Sequence, residues 1–286
     1  MILHRPNLAD WPETMAWALA GATPLDHGFP SGPSDRRHRY AGEFGGWYGG
    51  GYRHQRWVKP APVKKVIRIA TAADLEAMTW VLIGAAPLDP IYPYRYPNRD
   101  LYTDELFARM CSQKCAEYLG TSTVVVCEMD RRVVAFAVWD PPSSIRDRYR
   151  SAPLQEPQPS APSIPITIGH ERRMRAFRET CAARKRALFD AVYTARGRQH
   201  MFLKILLCHP DYQRRGAGTA LTSWGIDEAR RAGVDTTVFA SPMGLELYKK
   251  LGFKEVGRFR VQLEGEDVFL EIPALVLSGE KRVTEG

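Results

Sequence analysis

One short stretch, residues 203–233, constrains this chain more than any other. An apolar run, Leu203-Lys204-Ile205-Leu206-Leu207-Cys208, leads through His209-Pro210-Asp211-Tyr212 into Gln213-Arg214-Arg215-Gly216-Ala217-Gly218-Thr219. Ala217, Ala220, Leu221 and Trp224 then recur at i, i+3, i+4 and i+7, and Gly233 is placed to end the helix they define. A buried strand, a glycine turn and a helix start make a site for a polyanion. The glycines let backbone approach a ligand, and the unpaired N–H groups of the first helical turn favour negative charge. Two familiar nucleotide motifs fit poorly. No Lys-Ser/Thr follows the second glycine, as a P-loop needs, and Leu221 stands where a dinucleotide fingerprint needs its third glycine.

A second ordered stretch follows. Thr236–Ala240 reads as a strand, and Ser241-Pro242-Met243-Gly244-Leu245-Glu246-Leu247-Tyr248-Lys249-Lys250-Leu251-Gly252-Phe253 as a helix and its ending. Together, 206–218 resembles the acetyl-CoA-binding motif of the GCN5-related N-acetyltransferase (GNAT) superfamily, and 240–253 resembles the next helix and its Leu-Tyr-x-Lys-Leu-Gly-Phe ending. The proline-rich segment 90–97 and a long insertion before the motif are similar to fungal members. The resemblance covers about 63–277 and is strongest over 200–258.

That resemblance implies an α/β (α+β) fold, a mixed and mostly antiparallel sheet of about seven strands flanked by helices, with two central strands splayed apart. Acetyl-CoA would lie in the gap as cosubstrate, its pantetheine on Leu206, Leu207 and Cys208. The pyrophosphate would lie on Gln213, Arg214, Arg215, Gly216, Ala217, Gly218 and Thr219. Tyr248 stands where the family places a tyrosine beside the sulfur, and Ser241 where many relatives have asparagine near the cofactor. The resemblance makes Tyr248 the general acid for the departing thiolate; a phenol with pKa near 10 is a weaker acid than a thiol near 8.5, so hydrogen-bond stabilisation of that thiolate is expected to matter more than full proton transfer. The plainer reading of Tyr248 is a core aromatic, since Gly244, Leu247 and Leu251 share its helical face.

The base is less legible. An alkylamine with pKa about 10.4 must lose a proton before it attacks a thioester, and strand 201–208 holds no carboxylate. Glu128, on a hairpin preceding the motif, is the carboxylate to expect as base; His209, His200 and Asp211 flank the motif strand, His209 being the candidate among them. An acetyl-cysteine route through Cys208 and His209 is disfavoured because adjacent strand residues point to opposite faces. Direct attack by a small-molecule amine within a ternary complex is the expected chemistry. The other readings are a protein or peptide N-acetyltransferase and a non-catalytic acyl-CoA-binding module.

Elsewhere, residues 66–70 read as a strand, 71–82 as a capped helix, 87–97 as a proline-punctuated loop, and 103–119 as a second helix. Residues 123–129 and 133–139 form a hairpin, and a last hairpin covers 256–263 and 268–277. Three segments stand outside the catalytic domain's needs: a glycine- and tryptophan-rich 1–62, expected to be poorly ordered; a proline-rich insertion over 140–170; and a basic helix over 171–195 that is either a solvated face or a contact for phosphate or an acidic partner. Residues 278–286 read as a tail. The catalytic domain is 63–277.

The formal net charge of +8 alone does not separate nucleic acid, membrane surface and anionic substrate as partners. With the phosphate loop identified, acetyl-CoA and an amine become the expected partners and nucleic acid does not. The five cysteines, 111, 115, 127, 181 and 208, are odd in number and lack metal-ligand spacing, so they are expected as thiols in a cytoplasmic or nuclear protein with no bound metal.

Overall fold

A computed structural model describes residues 64–97, 103–149 and 168–279. The extension 1–62 and the tail from 280 lie outside the described residues, as does most of the proline-rich insertion. The strands are β1 (Lys65–Ile69), β2 (Thr123–Met129), β3 (Arg132–Asp140), β4 (His200–Cys208), β5 (Asp235–Phe239), β6 (Lys254–Gln262) and β7 (Phe269–Leu277). They form one sheet of seven strands in the order β1-β2-β3-β4-β5-β7-β6. Only the β4–β5 pair is parallel; the other neighbours are antiparallel. The expected mixed, mostly antiparallel sheet is therefore present. Its β2–β3 turn places Asp130 and Arg131 at φ 52° and 62°, the left-handed pair of a two-residue hairpin.

The helices are α1 (Leu75–Ala85), α2 (Ile91–Arg95), α3 (Asp104–Thr121), α4 (Ser143–Arg146), α5 (Ile168–Lys185), α6 (Ala191–Ala195), α7 (Ala217–Arg231) and α8 (Leu245–Lys250). Thr71 opens the first helical segment with a capping box, its N–H donating to Asp74 Oδ2 at 2.7 Å. Thr103 caps α3 by accepting from the Leu106 N–H at 3.2 Å. Met78, Val81, Cys115 and Leu119 from α1 and α3 pack with Val124, Val126, Phe136, Val138, Ile205 and Leu207 of the sheet. α7 lies against the sheet where Gly225 meets Trp139; a Cβ there would stand 2.1 Å from the indole ring, so glycine sets the approach of helix and sheet.

Three expectations need correction. Residues 87–97 do not form a loop: they hold a short 3-10 turn (Ala86–Leu88) followed by α2. Pro93 fits inside α2 because it is the third helical residue, where an N–H has no partner within the helix. The basic helix is longer than 171–195 and is not merely a solvated face. α5 continues through a π-turn (Arg186–Asp190) into α6 and packs against β6 and α2. Phe177, Cys181, Phe189 and Tyr193 are buried, and Arg173 Nε donates to Glu266 Oε2 at 2.6 Å. Part of the 140–170 insertion is likewise helical, as α4.

Candidate active site

β4 and β5 pair only from His200↔Asp235 to Leu203↔Val238, whereas β4 keeps its β3 partner to Cys208↔Ala135. Residues 205–208 therefore leave β5 while staying in the sheet. The cause is a bulge. Val138 faces Ile205 and Trp139 faces Leu203, so Lys204 has no counterpart on β3. The extra residue bends β4 and reverses its side-chain phase, which is why Phe202 before it and Ile205 and Leu207 after it enter one apolar cluster. Lys204 turns its ammonium to Ser122, donating to Oγ at 3.3 Å. On the side facing β5, the amides and carbonyls of 205–208 are left to a peptide-like ligand.

At the end of β4, a 3-10 turn (Pro210–Tyr212) delivers the chain to α7. Gln213 reaches back and donates to the Cys208 carbonyl at 3.3 Å. Arg214 and Gly216 have φ of 62° and 84°, and Gly216 is the N-cap of α7. A glycine cap brings no side-chain oxygen to the first turn, so the N–H groups of Ala217, Gly218 and Thr219 point outward to a ligand with the positive end of the dipole behind them. Lys65 Nζ donates to the Arg215 carbonyl at 3.1 Å and, with Arg214 and Arg215, surrounds this helix start with positive charge. Lys65 was not legible as a site residue, since 150 positions separate it from the carbonyl it binds.

A cavity of about 500 Å³, partly open to solvent, lies against the splayed end of β4. Ile205 and Leu207 form its floor, α1 gives Leu82, α2 gives Tyr92, Arg95 and Tyr96, and α3 gives Phe107, Cys111, Lys114 and Tyr118. Arg95 lies over the rings of Tyr96 and Phe177, at 5.4 and 5.1 Å. Lys114 pairs with Glu117 at 2.7 Å and stands 4.8 Å from the Tyr118 ring, and burial pulls its ammonium down to about 8.

Near the cavity is a polar cluster of Asp89, Ser241 and Tyr248, of which sequence reasoning found the last two and missed Asp89. Asp89, on the turn before α2, is 1% exposed; its Oδ1 accepts the Ile91 N–H at 2.8 Å. Burial raises its carboxyl to about 6, although the Ile91 N–H, the Ser241 hydroxyl and the Arg95 charge all pull it down. Ser241 follows β5, and Tyr248 lies on α8; both are fully buried. Burial and then the charge of Asp89 hold the Tyr248 phenol well above its ordinary 10. Among the described residues, Asp89 Oδ2, Ser241 Oγ and Tyr248 Oη have no hydrogen bond of good geometry. The Ser241 hydroxyl is near enough to favour ionised Asp89 but is not aligned to donate to it. The only sign of Asp89 in the sequence is a carboxylate among prolines.

The two expected bases sit elsewhere. Glu128 is on β2, with β3 between it and β4, so about 10 Å of sheet separates it from the splay. Its carboxylate is held by Arg68, whose Nε donates at 2.7 Å. His209 stacks on Trp80 at 3.6 Å, against Gly84, and burial lowers its pKa. Its Nδ1 accepts the Asp211 N–H at 3.4 Å, so it serves the turn that leads into α7. Neither bonds to the Tyr248 hydroxyl, which has no hydrogen-bond partner among the described residues. His200 is bound at both ring nitrogens, 2.7 Å from Thr237 Oγ1 and 2.9 Å from Asp190 Oδ1, at the other end of β4. Burial pushes the Cys208 thiol up to about 12, which suits a packed side chain and not a nucleophile.

A splayed strand pair ending in a glycine-capped helix defines a class: proteins that hold an acyl-CoA along the strand edge and its phosphates on the helix. Residues 182–255 match the family described as the acetyltransferase (GNAT) domain. A curated relative from the fungus Stachybotrys chartarum, named "Acetyltransferase", is 26% identical over 218 residues, 72% of this chain and 88% of its own length. Among solved structures, the mosquito arylalkylamine N-acetyltransferase like 5b has a TM-score of 0.48 at 17% identity, over 75% of this chain and 100% of its own. A polyamine N-acetyltransferase of Drosophila melanogaster has a TM-score of 0.48 at 15% identity, also over 75% and 100%. The domain match over 182–255 and the fungal relative support a GNAT superfamily acetyltransferase, with acetyl-CoA as cosubstrate. Among the described residues, no helix is long and apolar enough to cross a membrane.

Proposed function

We propose that this acetyltransferase moves the acetyl group to the amine of a small molecule, by direct attack in a ternary complex. The observation that carries this is the cavity of about 500 Å³ whose floor, Ile205 and Leu207, belongs to the same strand segment that leaves β5. Its lining is mostly apolar and aromatic with two cations set into it, the composition of a small-ligand pocket. A thioester lying along 205–208 has an acceptor in that cavity as its neighbour, which makes proximity the main source of rate.

The individual assignments follow that geometry. Leu206, Leu207 and Cys208 offer backbone groups to the pantetheine, and Ser241 is a hydroxyl within the same gap. Arg214 to Thr219, with Gln213 holding the strand end, receive the pyrophosphate, helped by Lys65. Tyr248 stabilises the leaving thiolate. The lining joins aromatic rings to two cations, Arg95 and Lys114, which favours an acceptor with an apolar or aromatic body and disfavours a second ammonium. Five buried cysteines, none in a disulfide, fit action in the cytoplasm or nucleus.

The test is thiol release from acetyl-CoA against arylamines, amino acids, polyamines and a histone peptide, with initial-velocity patterns for the best acceptor. Turnover with a monoamine and intersecting lines support the reading. Turnover with the peptide alone, or parallel lines, would overturn it.

A further inference from the structure

The reaction needs a group to take the acceptor's ammonium proton, and the two residues that the sequence offers for it are otherwise engaged, Glu128 by Arg68 on β2 and His209 by the Trp80 ring at the end of β4. We propose that Asp89 is that base, acting from a buried polar cluster completed by Ser241 and Tyr248; the proposal rests on the amine-acetyltransferase reading above.

Three unmade hydrogen bonds in one place carry it. A buried polar atom left without a partner costs on the order of 1–3 kcal/mol, and native interiors keep such atoms few. Here Asp89 Oδ2, Ser241 Oγ and Tyr248 Oη are all buried and unsatisfied. They come from three separate elements: the turn before α2, the segment after β5 and α8. Electrostatic coupling links Asp89 to Ser241 and to Tyr248, so the three atoms share one neighbourhood. Such a cluster is costly for the free protein and is relieved by a ligand that supplies both donors and acceptors. An ammonium beside a thioester does so: its N–H groups meet Asp89, and the sulfur meets Tyr248.

The second line is placement. Asp89 does not itself line the cavity, but it stands in the turn between Ala86 and Tyr92, which do, and faces Arg95, which does too. The groups facing Asp89 are the Ile91 N–H, the Ser241 hydroxyl, the Tyr248 phenol and the Arg95 guanidinium; Arg95 is the only one charged near neutral pH. Oδ1 is fixed by the backbone, leaving Oδ2 to work. With a pKa of about 6, the carboxyl is mostly ionised at pH 7, yet close enough to that pH to hold a proton briefly.

The step balances as follows. Asp89 Oδ2 takes one proton from the ammonium, freeing the nitrogen lone pair. The C–N bond forms at the thioester carbon and the C–S bond breaks. The tetrahedral nitrogen sheds a second proton, and the departing sulfur gains one through Tyr248. The proton on Asp89 then returns to solvent. The products are the amide, CoA thiol and one proton.

The experiment compares wild type, Asp89→Asn and Asp89→Ala by kcat and kcat/KM from pH 5 to 9, with acetyl-CoA affinity measured in parallel. For wild type, kcat/KM is expected to fall on the acid side with an apparent pKa near 6. Asp89→Asn should lose that limb and roughly 100-fold or more in kcat, while acetyl-CoA affinity stays within about twofold. Formate should restore part of the rate to Asp89→Ala and not to Asp89→Asn, a readout that a structural role would not produce. An Asn variant that binds acetyl-CoA and turns over within about threefold of wild type would overturn Asp89 alone. Wild type that binds acetyl-CoA and acetylates no amine would overturn the reading beneath it too.

Discussion

Replacing Asp89 with asparagine should make the protein more stable at neutral pH. Asparagine keeps the acceptor for the Ile91 N–H, now 2.8 Å from Oδ1, and removes a buried charge. A folded-state pKa of about 6, raised from the ordinary 3.8, means that folding holds the proton more tightly than the unfolded chain does. Between about pH 4 and about pH 6 the folded form binds more protons, so wild-type stability falls as pH rises through that window. At about 1.36 kcal/mol per pH unit, the full loss above pH 6 is about 3 kcal/mol. That is a large share of a stability of roughly 5–15 kcal/mol, and for a domain of this size it amounts to roughly 6–12 °C in Tm. Melting curves of both proteins at pH 7.5 and pH 4 provide the assay. Asp89→Asn should melt higher at pH 7.5, with the gap nearly closed at pH 4. Equal melting at pH 7.5, or the same gap at both pH values, would refute the buried, uncompensated carboxylate.

Other substitutions separate chemistry from binding and from packing. Tyr248→Phe should lower kcat by about tenfold or more without weakening acetyl-CoA and, because Oη has no partner among the described residues, without lowering Tm; kinetics and melting check both. Arg214→Ala and Arg215→Ala should each weaken acetyl-CoA binding by about tenfold, read by titration calorimetry, with the loss shrinking at high salt. Gly225→Ala should cost about 1–3 kcal/mol or more in denaturant unfolding, since its Cβ would enter the Trp139 ring. Glu128→Gln should leave kcat nearly unchanged and lower stability through loss of the Arg68 pair.

What the sequence revealed, and what it hid, follows from the range of each interaction. The glycine turn and the helix after it were readable because turn, helix period and terminating Gly233 are local, and α7 runs from Ala217 to Arg231 as they require. The β2–β3 hairpin was readable for the same reason. The splay itself came only through resemblance, because its immediate cause, the bulge at Lys204, is a mismatch of register between β3 and β4. The proline-rich 87–97 misled because prolines count against helix unless they fall in a first turn, as Pro93 does. Seven arginines and lysines on one element pointed to a solvated face, yet Phe177 and Cys181, four residues apart, mark the side that packs. Asp89 was invisible: its value as a base depends on Ser241 and Tyr248, more than 150 positions away, and on burial that no local pattern records.

The account turns on acetyl-CoA lying along the edge that β4 exposes when it leaves β5. Amide hydrogen exchange of the whole chain, with and without saturating acetyl-CoA, measures this directly. Slowed exchange is expected in the segments spanning 205–208 and 214–219, with little change in β6 and β7. Binding without protection at either segment, or with protection elsewhere in their place, would contradict it.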